Sequence, residues 1–192
     1  MKEFLDIVDE KGQPTGETID RETAHAKGIL HRTAHVWIAR KKDGKVQILL
    51  QKRAKHKSSF PGCYDISSAG HIPAGDSYEI SALRELEEEL GVQVQEKDLI
   101  SCGDRKVIWD AVFFGKEFHD RQISRVFLLW LDQEESDFAV QEAEVDSVRW
   151  MDFDACYAGV QNNTFENCIV LEELDMLKKV LAFQNEGGKL NG

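Results

Sequence analysis

The sequence predicts an α+β fold in which a sheet lies between helices. Two observations predict it: strand-like runs outnumber helical ones in the middle of the chain, and helical patterns occur over 77–90 and near the C-terminal end. The chain has 192 residues, which fits one ordinary domain with terminal additions. We therefore expect an N-terminal strand or hairpin appendage over 1–29, a main domain over 30–185 and a tail over 186–192.

Short runs of apolar and β-branched residues predict the strands. They occupy 3–8, 33–39, 45–51, 64–69, 92–94, 106–112, 124–131 and 147–150. A polar connector is expected between the first run and residue 28, and Asp43-Gly44 predicts a hairpin between the second and third runs. A turn cluster at 58–62 precedes the fourth run.

The clearest helix is expected over 77–90. Its apolar residues recur at helical spacing among mostly acidic neighbours, and they are Ile80, Leu83, Leu86 and Leu90. Asp76 is expected to cap the first turn, with Glu79 completing a capping box, and Gly91 is expected to end the helix. A second helix is predicted over 168–183.

The composition excludes several classes of protein. With 42% hydrophobic and 31% charged residues, the chain is not of the disordered or low-complexity type. The net charge of -11 argues against nucleic acid or a membrane surface as the partner, because both attract basic surfaces. The 4 cysteines form no CxxC pair, so we expect no zinc knuckle and no disulfide framework. Without a signal-peptide pattern or a membrane-spanning run, a cytoplasmic location is expected.

Three carboxylates lie on one face of the helix expected over 77–90. Glu85, Glu88 and Glu89 occupy positions i, i+3 and i+4, where like charges destabilise a helix by a few tenths of a kcal/mol per pair. Mg²⁺ and Mn²⁺ are natural partners for such a set, because they prefer carboxylate oxygens and bridge to phosphates. The alternative on spacing alone is a solvated acidic surface.

A glycine-bounded loop over 70–75 leads into this acidic helix. Gly70, five residues, Asp76 and seven residues are followed by Arg84-Glu85-Leu86-Glu87-Glu88-Glu89-Leu90-Gly91-Val92. This stretch resembles the signature of the Nudix hydrolase family: glycine, five residues, glutamate, seven residues, then Arg-Glu-U-x-Glu-Glu-x-Gly-U, where U is apolar. Asp76 is the one departure, and it keeps the charge of the glutamate that it replaces.

The resemblance implies a Nudix-like α/β/α sandwich with a mixed central sheet. It implies a hydrolase that uses Mg²⁺ or Mn²⁺ to cleave a nucleoside diphosphate linked to another group. The metal ligands would be Glu85, Glu88, Glu89 and the Gly70 carbonyl, with a glutamate of the set as base and Arg84 orienting the acids. The chemistry fits, since a metal ion neutralises the diphosphate and lowers the pKa of a bound water.

A wider stretch, from about residue 30 to 150, resembles the Nudix branch that includes the type I isopentenyl-diphosphate isomerases. The segments that carry it are His31-Arg32-Thr33-Ala34-His35-Val36-Trp37-Ile38, Leu49-Leu50-Gln51-Lys52-Arg53, Phe60-Pro61-Gly62 and Asp65-Ile66-Ser67-Ser68-Ala69-Gly70-His71. Those isomerases have a catalytic cysteine where this chain has Ala69 and a catalytic glutamate near Gln122. The sequence therefore favours a hydrolase, with an isomerase and a non-catalytic nucleotide-sensing module as alternatives.

Further site residues are expected from the same resemblance. Arg53 and Lys57 match positions that face the diphosphate, and His71 in the loop is a candidate substrate contact. His31 matches a metal-site histidine of the isomerases, and a structural role for it is equally open. Glu144 is the expected base or fourth metal ligand; the other late polar candidates are Asp120, Gln122 and Glu142.

Several residues with chemical potential are interpreted as packing residues. They are His35, Trp37, Trp109, Trp130 and Trp150, because strand aromatics pack more often than they bind. The expected partner is a small-molecule diphosphate, and a homodimer is left open.

Overall fold

A computed structural model describes residues 2–57, 59–113 and 115–185, so the tail expected over 186–192 lies outside the described residues. The α+β class and the mixed central sheet between helices are confirmed. The strands are β1 (Phe4–Val8), β2 (Pro14–Asp20), β3 (His31–Lys42), β4 (Lys45–Arg53), β5 (Tyr64–Asp65), β6 (Ser68–His71), β7 (Leu99–Phe113), β8 (Lys116–Trp130) and β9 (Val145–Asp152). The α-helices are α1 (Arg21–Lys27), α2 (Tyr78–Leu90), α3 (Phe153–Gln161) and α4 (Leu171–Asn185).

The main sheet has seven strands and is mixed. Its principal order is β5-β4-β3-β8-β7, with β6 paired to the first half of β3 and β9 paired to β4. The β3–β8 pair is parallel and the other pairs are antiparallel. Strands β1 and β2 form a separate antiparallel hairpin.

The core has two layers because alternate residues of β3 point to opposite faces. Val36 and Ile38 pack with Leu86 of α2 on one face. Trp37 packs with Leu174 of α4 on the other face. The face of β3 on which each residue lies therefore decides which helix it meets.

The N-terminal region is more regular than the expected polar connector. Strand β2 pairs with β1, and α1 follows it directly. Asp20 caps α1 by accepting a hydrogen bond from the Thr23 amide, and Gly28 ends the helix in the left-handed conformation. The connector prediction was wrong because seven residues are too short a helix to show a clear apolar period.

The N-cap of the helix that carries the glutamates lies one residue later than expected. Ser77, not Asp76, is the N-cap, since the Ser77 hydroxyl accepts a hydrogen bond from the Ile80 amide. The expected capping box of Asp76 and Glu79 is therefore wrong, and the Asp76 amide instead donates to the Pro73 carbonyl. The expected end at Gly91 is confirmed, with φ at 68°.

Two further expectations are corrected. The run 92–94 is not a strand, because the Val92 amide still donates to the Leu86 carbonyl at the end of α2 and a short 3₁₀ turn follows at Glu96–Asp98. Helix α3 was not expected, and the last helix begins at Leu171 rather than at residue 168. None of the helices in the described ranges is both long and apolar enough to cross a membrane.

Candidate active site

The first feature of the site is the close approach of α2 to β6 at Gly70. Gly70 lies opposite Ala34 of β3, on the face that α2 covers. A Cβ atom added to Gly70 would lie 2.1 Å from Cδ of Glu85, well inside van der Waals contact. Only glycine at this position lets the Glu85 carboxylate rest against the sheet.

One carboxylate of α2, Glu89, is buried, and a second, Glu85, is largely buried with 15% of its side chain exposed. Glu89 is 7% exposed and accepts a hydrogen bond from the Ser68 hydroxyl at 2.7 Å. Burial raises the pKa of Glu89 to about 8, and burial likewise raises the pKa of Glu85 to about 7. In the absence of a cation, these two side chains therefore hold protons near neutral pH.

Arg84 connects the carboxylates to the loop before the helix. Its guanidinium lies 2.8 Å from Glu85 Oε1 and 3.4 Å from Glu88 Oε2. It also donates to the His71 carbonyl at 3.2 Å. The Glu88 side chain is about half exposed and faces solvent beside this network.

Two of the other expected residues meet each other. Lys57 forms an ion pair with Glu144, and the Glu144 charge contributes to the raised pKa of Glu89. The structure thus brings Glu144 near the α2 carboxylates. Arg53 donates to Asp65 at 3.1 Å and to the Ser59 carbonyl, so it organises the loop that carries Lys57.

A cluster of three histidines lies on the other face of the same strands. His71 is opposite Thr33 of β3, one residue beyond Gly70, and therefore points away from α2. Its Nε2 lies 3.1 Å from Nε2 of His25. The ligand atoms of His25, His31 and His71 all lie within 4.8 Å of one another.

The histidines of this cluster are neutral. Burial lowers the pKa of His25 to about 3, with further lowering by the nearby His31 and Arg21. Burial also lowers the pKa of His31 and His71. His31 Nδ1 donates to the Ile29 carbonyl at 2.8 Å, so its buried Nε2 keeps a lone pair that no group in the described residues meets.

His25 was not among the expected site residues, because α1 was not predicted. Asp120 lies 3.9 Å from Nδ1 of His25, and burial raises the pKa of Asp120 to about 6. Gln122 contacts the Thr33 hydroxyl at 3.2 Å on the same face.

The sequence did contain one signal for α1, the helix that carries His25. Asp20 is a typical N-cap residue, and Gly28, eight residues later, is a typical residue at a helix end.

The remaining candidate residues differ in how much of each side chain is exposed to solvent. His35 contacts Glu173 at 2.9 Å beneath α4, while Glu142 is exposed. Trp37 and Trp150 are buried and Trp130 is partly buried, in keeping with the packing interpretation. Trp109 differs from them, because 38% of it is exposed.

The two donor sets suit different metal ions. The α2 set consists of carboxylate oxygens beside Arg84, and this donor chemistry fits Mg²⁺ or Mn²⁺. The histidine set offers neutral imidazoles, which suit transition metals. Within the described ranges it is the one group of three or more such side chains that converges within 4.8 Å.

Comparison with curated proteins finds relatives named as Nudix hydrolases. An uncharacterized Nudix hydrolase of Clostridium acetobutylicum is 35% identical over 144 residues, covering 75% of this chain and 67% of that protein. One of Listeria monocytogenes is 32% identical over 178 residues, covering 93% of this chain and 96% of the relative. Nudix hydrolase 3 of Arabidopsis thaliana is 38% identical over 156 residues, and the match spans 80% of this chain but only 20% of that longer protein.

Solved structures share the fold. DR0079 of Deinococcus radiodurans superposes with a TM-score of 0.66 at 19% identity, covering 90% of this chain and 98% of that one. The NUDIX domain of Shewanella oneidensis NrtR, solved with ADP ribose, superposes with a TM-score of 0.56 at 16% identity, covering 78% of this chain and 87% of that one. The family model described as NUDIX domain matches residues 29–167. Since that model covers most of the chain, the protein belongs to the Nudix family.

Proposed function

We propose that this Nudix protein is a metal-dependent hydrolase of a nucleoside diphosphate linked to another group. The observation that carries the proposal is the complete set of Glu85, Glu88 and Glu89 on α2, held against β6 by the contact at Gly70. The names of the curated relatives and the ADP ribose bound by the Shewanella domain support the reaction type and the substrate class. A small-molecule diphosphate in the cytoplasm is the partner that we propose.

In this proposal the α2 carboxylates and the Gly70 carbonyl hold Mg²⁺ or Mn²⁺. A bound divalent ion neutralises diphosphate charge and lowers the pKa of a coordinated water. Arg84 fixes the orientation of Glu85 and Glu88 through its two ion pairs. Glu144, held beside α2 by Lys57, accepts the proton of the attacking water.

The diphosphate is positioned by basic groups next to α2. Lys57 lies at this edge through its contact with Glu144, and Arg53 shapes the loop that presents it. These two residues are proposed to contact phosphate oxygens, which suit guanidinium and ammonium donors. The His71 side chain points away from α2 toward His25, so we do not assign it the expected substrate contact; its backbone carbonyl instead accepts a hydrogen bond from Arg84.

The test is product release from a panel of nucleoside diphosphates, triphosphates and nucleotide sugars, with Mg²⁺ or Mn²⁺ and with chelator. Glu88→Gln is expected to abolish turnover without loss of fold, because the side chain is about half exposed. Glu87→Gln is the matched control, since the Glu87 side chain is exposed and accepts a hydrogen bond from Gln93. Unchanged turnover in Glu88→Gln would contradict the proposal.

An isomerase remains the second candidate, and one observation favours it. The structure joins His31, which matches a metal-site histidine of the isopentenyl-diphosphate isomerases, to His25 and His71. Against it stand Ala69 and Gln122 at the positions of the catalytic cysteine and glutamate. Isopentenyl diphosphate added to the panel distinguishes the two: isomerisation without hydrolysis favours the isomerase, and nucleotide binding without turnover favours a sensing module.

A further inference from the structure

Four aromatic side chains from two separate elements meet beside the histidine cluster. We call Phe60, Trp109, Phe113 and Phe118 the aromatic cluster. Phe60 and Trp109 stack with ring centroids 5.5 Å apart and planes at 29°. Phe113 lies 5.8 Å from Trp109 and 5.4 Å from Phe118. Phe60 comes from the loop after β4, and the other three come from the β7–β8 hairpin.

The three aromatic residues of the β7–β8 hairpin lie where this hairpin extends past the start of β3. Strand β3 begins at His31, opposite Gln122 of β8, so the stretch of β8 before Gln122 has no β3 neighbour. Trp109 pairs with Asp120 there, and both lie on the face of the sheet that carries the histidines. The aromatic cluster therefore borders the histidine cluster rather than the core.

Two rings of the aromatic cluster are exposed to solvent, although rings that only pack in the core are buried. Phe60 and Trp109 are each 38% exposed. Phe60 also has φ at 48°, a conformation that is costly for a bulky side chain. Strain of this kind concentrates at functional positions, and here it places the Phe60 ring against Trp109.

An unbroken path of contacts leads from the aromatic cluster to the α2 carboxylates. Phe118 stacks on His25 at 4.3 Å, and His25 contacts His71. The His71 carbonyl accepts from Arg84, which pairs with Glu85. On the other side, the loop that carries Phe60 also carries Lys57. Lys57 is ion-paired with Glu144 near Glu89, so this loop links the aromatic cluster on the histidine face to the carboxylates on the α2 face.

We propose that the aromatic cluster binds the nucleobase of the substrate, with Trp109 and Phe60 as the stacking residues. This assignment rests on the proposed function and adds the residues that select a nucleotide over other diphosphates. A base stacked on aromatic side chains gains free energy through its flat face, whatever its hydrogen-bonding edge. Lys57, on the same loop as Phe60, would then meet the phosphate end of the same molecule, and the α2 carboxylates would hold the divalent ion that the phosphates bind.

A flat heteroaromatic ring fits this surface better than an alkyl chain does. The binding free energy of an alkyl chain grows with the apolar area that is removed from water. An alkyl chain therefore needs an enclosed apolar cavity. Phe60 and Trp109 are each 38% exposed and stack on each other with their planes at 29°. A planar base can therefore add to the open face of this stack.

The experiment follows tryptophan emission while ADP or methyl diphosphate is added in the presence of Mg²⁺, with binding measured in parallel by calorimetry. Trp109 is the most exposed of the four tryptophans, so it is the one that a bound base reaches. We expect ADP, but not methyl diphosphate, to quench emission. Trp109→Ala should weaken ADP binding about tenfold, whereas Trp109→Phe should keep binding and lose the quenching.

The matched control is Ile108→Ala, which removes an exposed side chain from the opposite face of the same strand. It should bind ADP as the unmodified protein does, and circular dichroism checks that each variant folds. Equal ADP affinity in Trp109→Ala, or quenching that persists in Trp109→Phe, overturns the nucleobase assignment. ADP binding that depends on Trp109 without hydrolysis of any compound supports the assignment and contradicts only the proposed hydrolase.

Discussion

The two faces of β6 carry different chemistry although they are one residue apart. Gly70 faces α2 and the carboxylates, whereas His71 faces away from α2, toward His25 and His31. The carboxylates share one helix, while the histidines come from α1, β3 and β6. The side-chain alternation of a single strand therefore separates hard oxygen donors from imidazole donors.

The largest expected effect comes from closing the space that Glu85 occupies. Gly70→Ala places a Cβ 2.1 Å from Glu85 Cδ, so the carboxylate must move and turnover should fall about 100-fold. Steady-state kinetics measures the loss. Gly44→Ala is the control: it has φ at 76° and open space around it, so it should lose about 1–2 kcal/mol of stability but keep its turnover. Equal turnover in both variants would show that the contact at Gly70 is not needed.

The two regions should impose opposite pH dependences on the stability of chelator-treated protein. The pKa of Glu89 is raised to about 8, so the unfolded chain releases this proton at lower pH than the folded chain does. Stability should therefore fall as pH rises toward 8, by up to about 1.4 kcal/mol per pH unit for this group. The pKa of His25 is lowered to about 3 in the folded chain. As the pH falls, the unfolded chain binds this proton at a higher pH than the folded chain does, so stability falls as the pH drops below about 6.5.

Denaturant unfolding at several pH values measures both slopes. Glu89→Gln should flatten the decline between about pH 6.5 and 8, and His25→Ala should flatten the decline on the acid side. Glu87→Gln should change neither slope, because this side chain is exposed. If the free energy of unfolding of Glu89→Gln still declined above pH 6.5, the Glu89 carboxylate would not be the cause of the decline.

The contact between Lys57 and Glu144 offers a smaller effect on the carboxylate side. Lys57→Ala should raise KM about tenfold, because one cationic contact to phosphate is lost. Lys55→Ala, an exposed lysine in the same loop, is the control and should leave KM unchanged. An equal rise in both variants would mean that loop charge in general, and not Lys57, attracts the substrate.

The smallest effect concerns the cap of α2. Ser77→Ala should lower the free energy of unfolding by about 1 kcal/mol, because the Ile80 amide loses its acceptor. Asp76→Asn should have less effect on helix stability, since the Asp76 side chain is not the cap. Thermal unfolding compares the two variants, and a larger loss in Asp76→Asn would restore the cap expected from the sequence.

The carboxylate face could be predicted from the sequence because its members are local. Glu85, Glu88 and Glu89 follow helical spacing, and Gly91 ends their helix. The histidine cluster could not be predicted, because it depends on the pairing of β6 with β3 and on a seven-residue helix without a clear period. The exposure of Trp109 likewise depends on how far the β7–β8 hairpin extends beyond β3, and residue spacing does not contain that length.

Metal binding by the α2 carboxylates is tested by Mn²⁺ titration followed by electron paramagnetic resonance in four proteins: unmodified, Glu88→Gln, Glu87→Gln and His25→Ala. We predict that Glu88→Gln weakens binding at least about tenfold, because a ligand oxygen of the α2 set is lost. Glu87→Gln and His25→Ala should bind as the unmodified protein does. Full Mn²⁺ binding in Glu88→Gln together with loss of binding in His25→Ala would place the ion at the histidines and contradict metal binding by the α2 carboxylates.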